Sequence, residues 1–157
     1  MNRPVPCILV IEDERAVREL IVAFLKTAGY RTVAAGNAEE AAYYIFRDKG
    51  LDIRLAIVDL VLPNANGLTL IRKLRESKYQ HRRAMPVVVL TGRTDTDTYK
   101  AAARRGIHAY LMKPVSCALL LETVAKVLGP RAKAIQTDPI AAAPQALEAF
   151  EHGSSKE

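Results

Sequence analysis

The sequence predicts an α/β fold, a doubly wound five-stranded parallel sheet with five flanking helices. Three observations carry that expectation. Short apolar runs alternate five times with longer stretches whose apolar residues recur at helical spacing. The runs are continuous Val, Ile and Leu rather than apolar/polar alternations, which implies strands buried on both faces and therefore a parallel sheet covered by helices. The connections are short, and right-handed crossovers between parallel strands then place helices on both sides of the sheet.

The first strand is Cys7 to Ile11, stopped by Glu12-Asp13-Glu14. A helix follows in which Val17, Leu20, Ile21, Phe24 and Leu25 share a face, with Gly29 at its C-terminal end. Tyr30 to Ala35 is the second strand, and Asn37 with Glu40 three residues on gives a capping-box-like start to a helix over Ala38 to Arg47. Leu55 to Leu60 is the third strand, followed by the polar turn Pro63 to Gly67 and a helix from Leu68 to Ser77 with Leu70, Ile71 and Leu74 inward. Pro86 to Leu90 forms the fourth strand and ends in Thr91-Gly92. The polar run Arg93 to Thr98 leads into a helix closed by Gly106. Ala109 to Met112 is a short fifth strand ending in Lys113-Pro114, and Ser116 caps a last helix with Leu120, Leu121, Val124, Val127 and Leu128 as its buried stripe.

The 157 residues suit one domain with a core and a tail, and half of them are hydrophobic with a quarter charged. No apolar run approaches the roughly 20 residues needed to cross a bilayer, and the first run is too short for a signal-peptide core. A cytoplasmic protein without membrane attachment is expected. Cys7 and Cys117 sit in apolar surroundings without metal-ligand spacing and read as buried thiols. The net charge is +6, and its one cluster is Arg72, Lys73, Arg75, Lys78, Arg82 and Arg83. Without interleaved aromatics this reads as a solvated helix face, so direct nucleic-acid binding is not expected. His81, His108 and His152 are far apart and are not expected to act as ligands.

In doubly wound sheets the working site lies outside the carboxyl ends of the strands. Those ends carry Glu12 and Asp13, Asp59, Thr91 and Lys113. A single Asp after a strand most often accepts backbone hydrogen bonds or caps a helix. Three carboxylates at one edge, however, repel unless a cation joins them. An oxygen-only set with no Cys or His selects a hard ion such as Mg²⁺. With Lys113 as a fixed positive charge and Thr91 as a hydroxyl donor, the group suits phosphoryl transfer and an aspartyl phosphate at Asp59.

Glu12-Asp13, Asp59 with Pro63 and Gly67 behind it, Thr91-Gly92, and Tyr110-Leu111-Met112-Lys113-Pro114 resemble the receiver domains of two-component response regulators. The likeness runs from about Cys7 to Leu128, and its architecture is that of a stand-alone, chemotaxis-regulator-like receiver. It implies a flavodoxin-like sheet of strand order 2-1-3-4-5. Asp59 would accept a phosphoryl group from a histidine kinase or histidine phosphotransfer protein. Glu12, Asp13, Asp59 and the Val61 backbone carbonyl would hold Mg²⁺, Lys113 and Thr91 would contact the phosphoryl oxygens, and Thr91 and Tyr110 would form the switch. Tyr110 also reads as a half-buried residue of an edge strand. Gly67 and Pro114 would be structural, the latter following a cis peptide bond. Apolar Val61 and cationic Arg93, two residues beyond Asp59 and Thr91, imply a longer-lived phosphorylated state. Output to a downstream protein target, or a homodimer, would use the fourth helix, fifth strand and fifth helix.

The expected division is a receiver domain over residues 1–128 and an Ala/Pro-rich tail or linker over 129–157 with no output domain. Within the tail, Pro144 to Phe150 has the length of a helical turn or two, with Leu147 and Phe150 available to dock. The alternatives are a receiver fragment of a longer regulator and a docking module that is not phosphorylated. The chain would catalyse nothing beyond its own phosphotransfer and dephosphorylation. A haloacid-dehalogenase-type phosphatase would want Asp-x-Asp after the first strand, and a flavodoxin-like electron carrier a Ser/Thr/Gly-rich loop there. This chain has Glu12-Asp13-Glu14 in that place.

Overall fold

A computed structural model describes residues 4–47 and 50–129. The expectations for residues 130–157, including His152, lie outside those residues. The elements in chain order are β1 (Cys7–Ile11), α1 (Arg15–Thr27), β2 (Arg31–Ala35), α2 (Ala38–Phe46), β3 (Ile53–Val58), β4 (Val61–Leu62), β5 (Ala65–Asn66), α3 (Gly67–Arg75), α4 (Gln80–Arg83), β6 (Val87–Thr91), α5 (Thr96–Arg104), β7 (Ala109–Met112) and α6 (Cys117–Leu128).

The main sheet has five parallel strands in the order β2-β1-β3-β6-β7, which is the expected 2-1-3-4-5 in strand count. Alternate residues along each central strand feed two cores. Ile8, Val10, Ile57, Val88 and Leu90 pack with Phe24 of α1 and Leu120 and Val124 of α6. Leu9, Ile11, Ala56, Val58 and Val89 pack with Ile45 of α2, Leu70 and Leu74 of α3, and Ala102 of α5. All residues of β1 and β6 are buried, as continuous apolar strands require.

Three details depart from the sequence reading. The described residues form six helices rather than five, because the four residues of α4 make a single short turn after α3. The stretch read as a polar turn after Asp59 is a small antiparallel hairpin, β4–β5, pairing Val61 with Asn66 and Leu62 with Ala65. Helix α5 begins at Thr96, within the run read as polar loop, because the Asp95 side chain accepts from the Thr98 N–H at 3.0 Å and also from its hydroxyl. Elsewhere local signals hold. Asn37 accepts from the Glu40 N–H at 2.8 Å, Ser116 accepts from Leu119 at 3.1 Å, and Gly29 takes a φ of 83° after α1.

The basic cluster is not simply a solvated face. Arg75 turns its guanidinium back onto four carbonyls, those of Arg105 (2.8 Å), Arg83 (3.0 Å), Met85 (2.7 Å) and Gly106 (2.9 Å). It thereby ties the end of α3 to α4, to the approach to β6 and to the end of α5. Desolvation lowers its pKa, and no carboxylate partner offsets that among the described residues. Arg75→Ala should cost about 1.5–3 kcal/mol of stability in urea unfolding, the range for hydrogen bonds to charged groups. The amide NMR shifts of Glu12, Asp59 and Lys113 should be unchanged in the folded variant, because Arg75 acts at the opposite edge of the sheet.

Candidate functional site

Backbone pairing continues one residue past each strand, and that extension builds the site. The Glu12 N–H bonds to Ala35 O (3.0 Å), Asp59 N–H to Ile11 O (2.9 Å) and Lys113 N–H to Thr91 O (3.0 Å). Glu12, Asp59, Thr91 and Lys113 are thereby lined up across four neighbouring strands at their carboxyl ends. Glu12 and Asp59 are only 2% and 5% exposed and Thr91 is fully buried. Asp13 lies beside them in solvent.

Lys113 Nζ donates to Glu12 Oε2 and to Asp59 Oδ2, each at 2.7 Å, from a side chain that is 21% exposed. Burial works against the Lys113 charge, yet its bonds to Asp59 and Glu12 together hold its pKa above the ordinary lysine value. Burial pushes the Glu12 carboxyl up to about 7, assisted by the neighbouring Asp59 and opposed by Lys113. The other Asp59 oxygen, Oδ1, accepts from the Val61 N–H at 3.1 Å. Carboxylate oxygens of Glu12, Asp13 and Asp59 lie within 4.8 Å of one another. Three oxygen donors at that spacing, two of them shielded from water, fit a small hard dication that keeps part of its hydration shell.

The switch residues expected from sequence are both hydrogen-bonded to the backbone of one residue, Arg93. The Arg93 N–H donates to Thr91 Oγ1 at 3.3 Å, and the Arg93 carbonyl accepts from the Tyr110 hydroxyl at 2.8 Å. The Tyr110 ring packs edge-on against Tyr99, 5.2 Å between centroids, and burial raises its pKa. Arg93 points its guanidinium to Asp95 at 3.1 Å, and Val61 is half exposed at the mouth of the site. The Lys113–Pro114 peptide bond is cis. His81 and His108 are remote, His108 meeting the Val87 N–H at 3.4 Å.

Two positioning roles are decided here. Gly67 opens α3 against the backbone of the Asp59 turn, its N–H bonding Leu60 O at 2.9 Å. A Cβ there would lie 2.5 Å from Asp59 O and 2.8 Å from Leu60 Cα, so only glycine fits. Arg18, which sequence reading did not single out, reaches back from α1 to the carbonyls of Glu12 (2.9 Å) and Asp13 (3.2 Å). Its signal was slight: one arginine on the first helix, six residues after the acid.

The sequence matches the family described as response regulator receiver domain over residues 8–125. The chain belongs to that family. The receiver is 34% identical over 114 residues to the transcriptional regulatory protein AruR of Pseudomonas aeruginosa, covering 71% of this chain and 45% of that protein. It is 33% identical over 117 residues to the sensory/regulatory protein RpfC of Xanthomonas campestris, covering 74% of this chain and 16% of that protein. The receiver therefore spans less than half the length of these relatives. Among solved structures, a response regulator receiver protein from Pseudomonas putida superposes with a TM-score of 0.73 at 36% identity, over 80% of this chain and 99% of that one. A CheY-like receiver from Methanospirillum hungatei superposes with a TM-score of 0.72 at 27% identity, over 80% of this chain and 94% of that one. No helix among the described residues is long and apolar enough to cross a membrane.

Gly67→Ala should destabilise the receiver by ~1–3 kcal/mol, the usual range for overpacking. Because the clash falls on backbone atoms of Asp59 and Leu60, the largest amide shift changes in NMR spectra should be at residues 59 to 61. Changes confined to α3 would contradict this assignment.

Proposed function

We propose that the receiver is a phosphorylation-dependent switch that takes a phosphoryl group onto Asp59. The observation that carries this reading is the buried Asp59 carboxylate held by Lys113 on one oxygen and by a backbone N–H on the other, with Glu12 and Asp13 alongside. An Asp59 oxygen attacks phosphorus, the bond from phosphorus to the donor's imidazole nitrogen breaks, and the imidazole leaves. The product is an acyl phosphate. Donors of this chemistry are a histidine kinase or a histidine phosphotransfer protein. Glu12, Asp13, Asp59 and the Val61 carbonyl would hold Mg²⁺, which neutralises the charge developing on the phosphoryl oxygens. Lys113 stays close to Asp59 and is placed to pair with those oxygens, and Thr91 presents its hydroxyl beside them.

Phosphorylation adds roughly −1.5 to −2 charges at pH 7. A Thr91 hydroxyl drawn to that charge leaves the Arg93 N–H, and the same backbone unit holds Tyr110. Reorganisation at Thr91 therefore reaches α5 and β7. The exposed Tyr99, Met112 and Leu119 make the α5–β7–α6 face apolar enough for a downstream target or a second copy. A cytoplasmic location suits partners of this kind. A receiver acting alone and a receiver within a longer regulator would share this mechanism.

Incubation with acetyl phosphate and Mg²⁺ should add one phosphoryl group by mass spectrometry, and Asp59→Asn or excess EDTA should abolish it. Labelling that survives Asp59→Asn refutes the proposal. Val61 and the Arg93–Asp95 pair flank the approach of water, so the label should outlast the donor's removal by far more than seconds. Decay within seconds would remove that role.

A further inference from the structure

The amino edge of the sheet, opposite the phosphorylation site, carries a cleft that the proposed switch does not use. One part, of about 800 Å³, begins at Val127 and Leu128, where α6 ends, and runs past Pro6 to Ile53 and Met85. A second part, of about 600 Å³, shares Asp52, Ile53, His81 and Met85 with it and continues to Phe46 and Tyr79. Asp52, which lines both parts, is neutralised by Arg54 at 3.0 Å, the rest of the floor is largely apolar, and the far rim is cationic. Arg82 lies 5.8 Å from the Phe46 ring centroid and 4.8 Å from that of Tyr79, and Lys78 stacks on Tyr79 at 5.3 Å. Neither cation has a carboxylate partner among the described residues. Tyr79 itself remains half exposed. Aromatic rings and cations thus interleave at the surface, an arrangement that selects an acidic, apolar ligand.

The chain continues from Leu128, at the mouth of the cleft, into sequence that contains such a ligand. Fourteen residues separate Gly129 from Pro144-Gln145-Ala146-Leu147-Glu148-Ala149-Phe150-Glu151, in which two large apolar residues alternate with two acids and no base intervenes. At i,i+3 spacing Leu147 and Phe150 share one face of a helical turn, as do Glu148 and Glu151. The 19 residues from Gly129 to Leu147 reach on the order of 60 Å when extended, ample to lead from Leu128 to the cationic rim. We propose that this cleft is the docking site of the chain's own Leu147–Glu151 segment. Leu147 and Phe150 seat over Ile53, Met85 and Phe46, and Glu148 and Glu151 face Arg82 and Lys78. Docking in this position holds the tail against the base of the domain and away from the α5–β7–α6 face, and it does not require phosphorylation.

The test uses the full chain with a nitroxide attached at Ser155→Cys, since Cys7 and Cys117 are both buried. The nitroxide should quench the amide NMR peaks of Ile53, Tyr79 and Met85, and equally so in an Asp59→Asn background. Leu147→Asp with Phe150→Asp should restore those peaks. Arg82→Glu should also restore them, and adding Glu148→Arg and Glu151→Arg to it should quench them again. Peaks that are never quenched, or quenching that survives the Leu147/Phe150 double substitution, overturn the proposal. A mixture of nitroxide-bearing unlabelled chain with nitroxide-free ¹⁵N chain should show no quenching. Quenching in that mixture would place the segment on a second copy and overturn docking within one chain.

Discussion

Lys113 carries the electrostatic balance of the carboxyl edge. Glu12 and Asp59 end adjacent strands, both nearly removed from water, and two carboxylates in that position repel and lose hydration together. One ammonium reaching both at 2.7 Å offsets this. It also links β7, the short edge strand, across the sheet to β1 and β3. The rest of the site follows from that tie: Glu12 remains a poor acid to ionise without a cation, Asp59 is presented with one oxygen on Lys113 and one on a backbone N–H, and the positive charge waits where phosphoryl oxygens would arrive.

Beside this centre, the backbone of Arg93 joins Thr91 to Tyr110. Thr91 and Tyr110 do not have to touch each other, since the N–H of Arg93 serves one and its carbonyl the other. The coupling is short because β6 and β7 are paired neighbours, with Thr91 opposite Met112. Asp95 anchors the start of α5 beyond that unit. Its bonds to Thr98 and Arg93 hold its pKa down to about 2, so the cap stays charged under any ordinary condition. The Arg93 segment thus lies between two fixed points, the buried β6 and a charged helix cap.

The two edges of the sheet are built differently. The carboxyl edge gathers acids under one lysine, whereas at the amino edge Arg75 and Arg82 meet carbonyls and rings, and among the described residues there Arg54 alone pairs with an acid, Asp52. Arg75 uses four main-chain oxygens, and Arg82 lies over Phe46 and Tyr79. Guanidinium suits both tasks because it is planar, weakly hydrated and rich in donors. The two ends of the sheet therefore do not compete for the same charges.

The amino-acid sequence by itself determined the five strands, their parallel arrangement and the polar groups at their ends, whereas burial on both faces holds for β1, β3 and β6 and not for the edge strands β2 and β7. Continuous apolar runs have one favourable environment, and a residue that follows a core strand must emerge at its edge. Asn37, Gly29 and Ser116 were legible for the same reason, since caps act within a few residues. Helix α4 and the β4–β5 hairpin were not, because neither is long enough to show a period. Only the tertiary structure decided what the long side chains do. Arg18 finds the Glu12 and Asp13 carbonyls, Arg75 finds residues about thirty positions away, and Lys113 finds Asp59 across 54 positions and Glu12 across 101. Gly67 likewise becomes obligatory only when α3 starts against the Asp59 backbone. Local sequence encodes where the backbone turns, whereas the partner of a flexible charged side chain is selected by packing, since only packing removes the competing water.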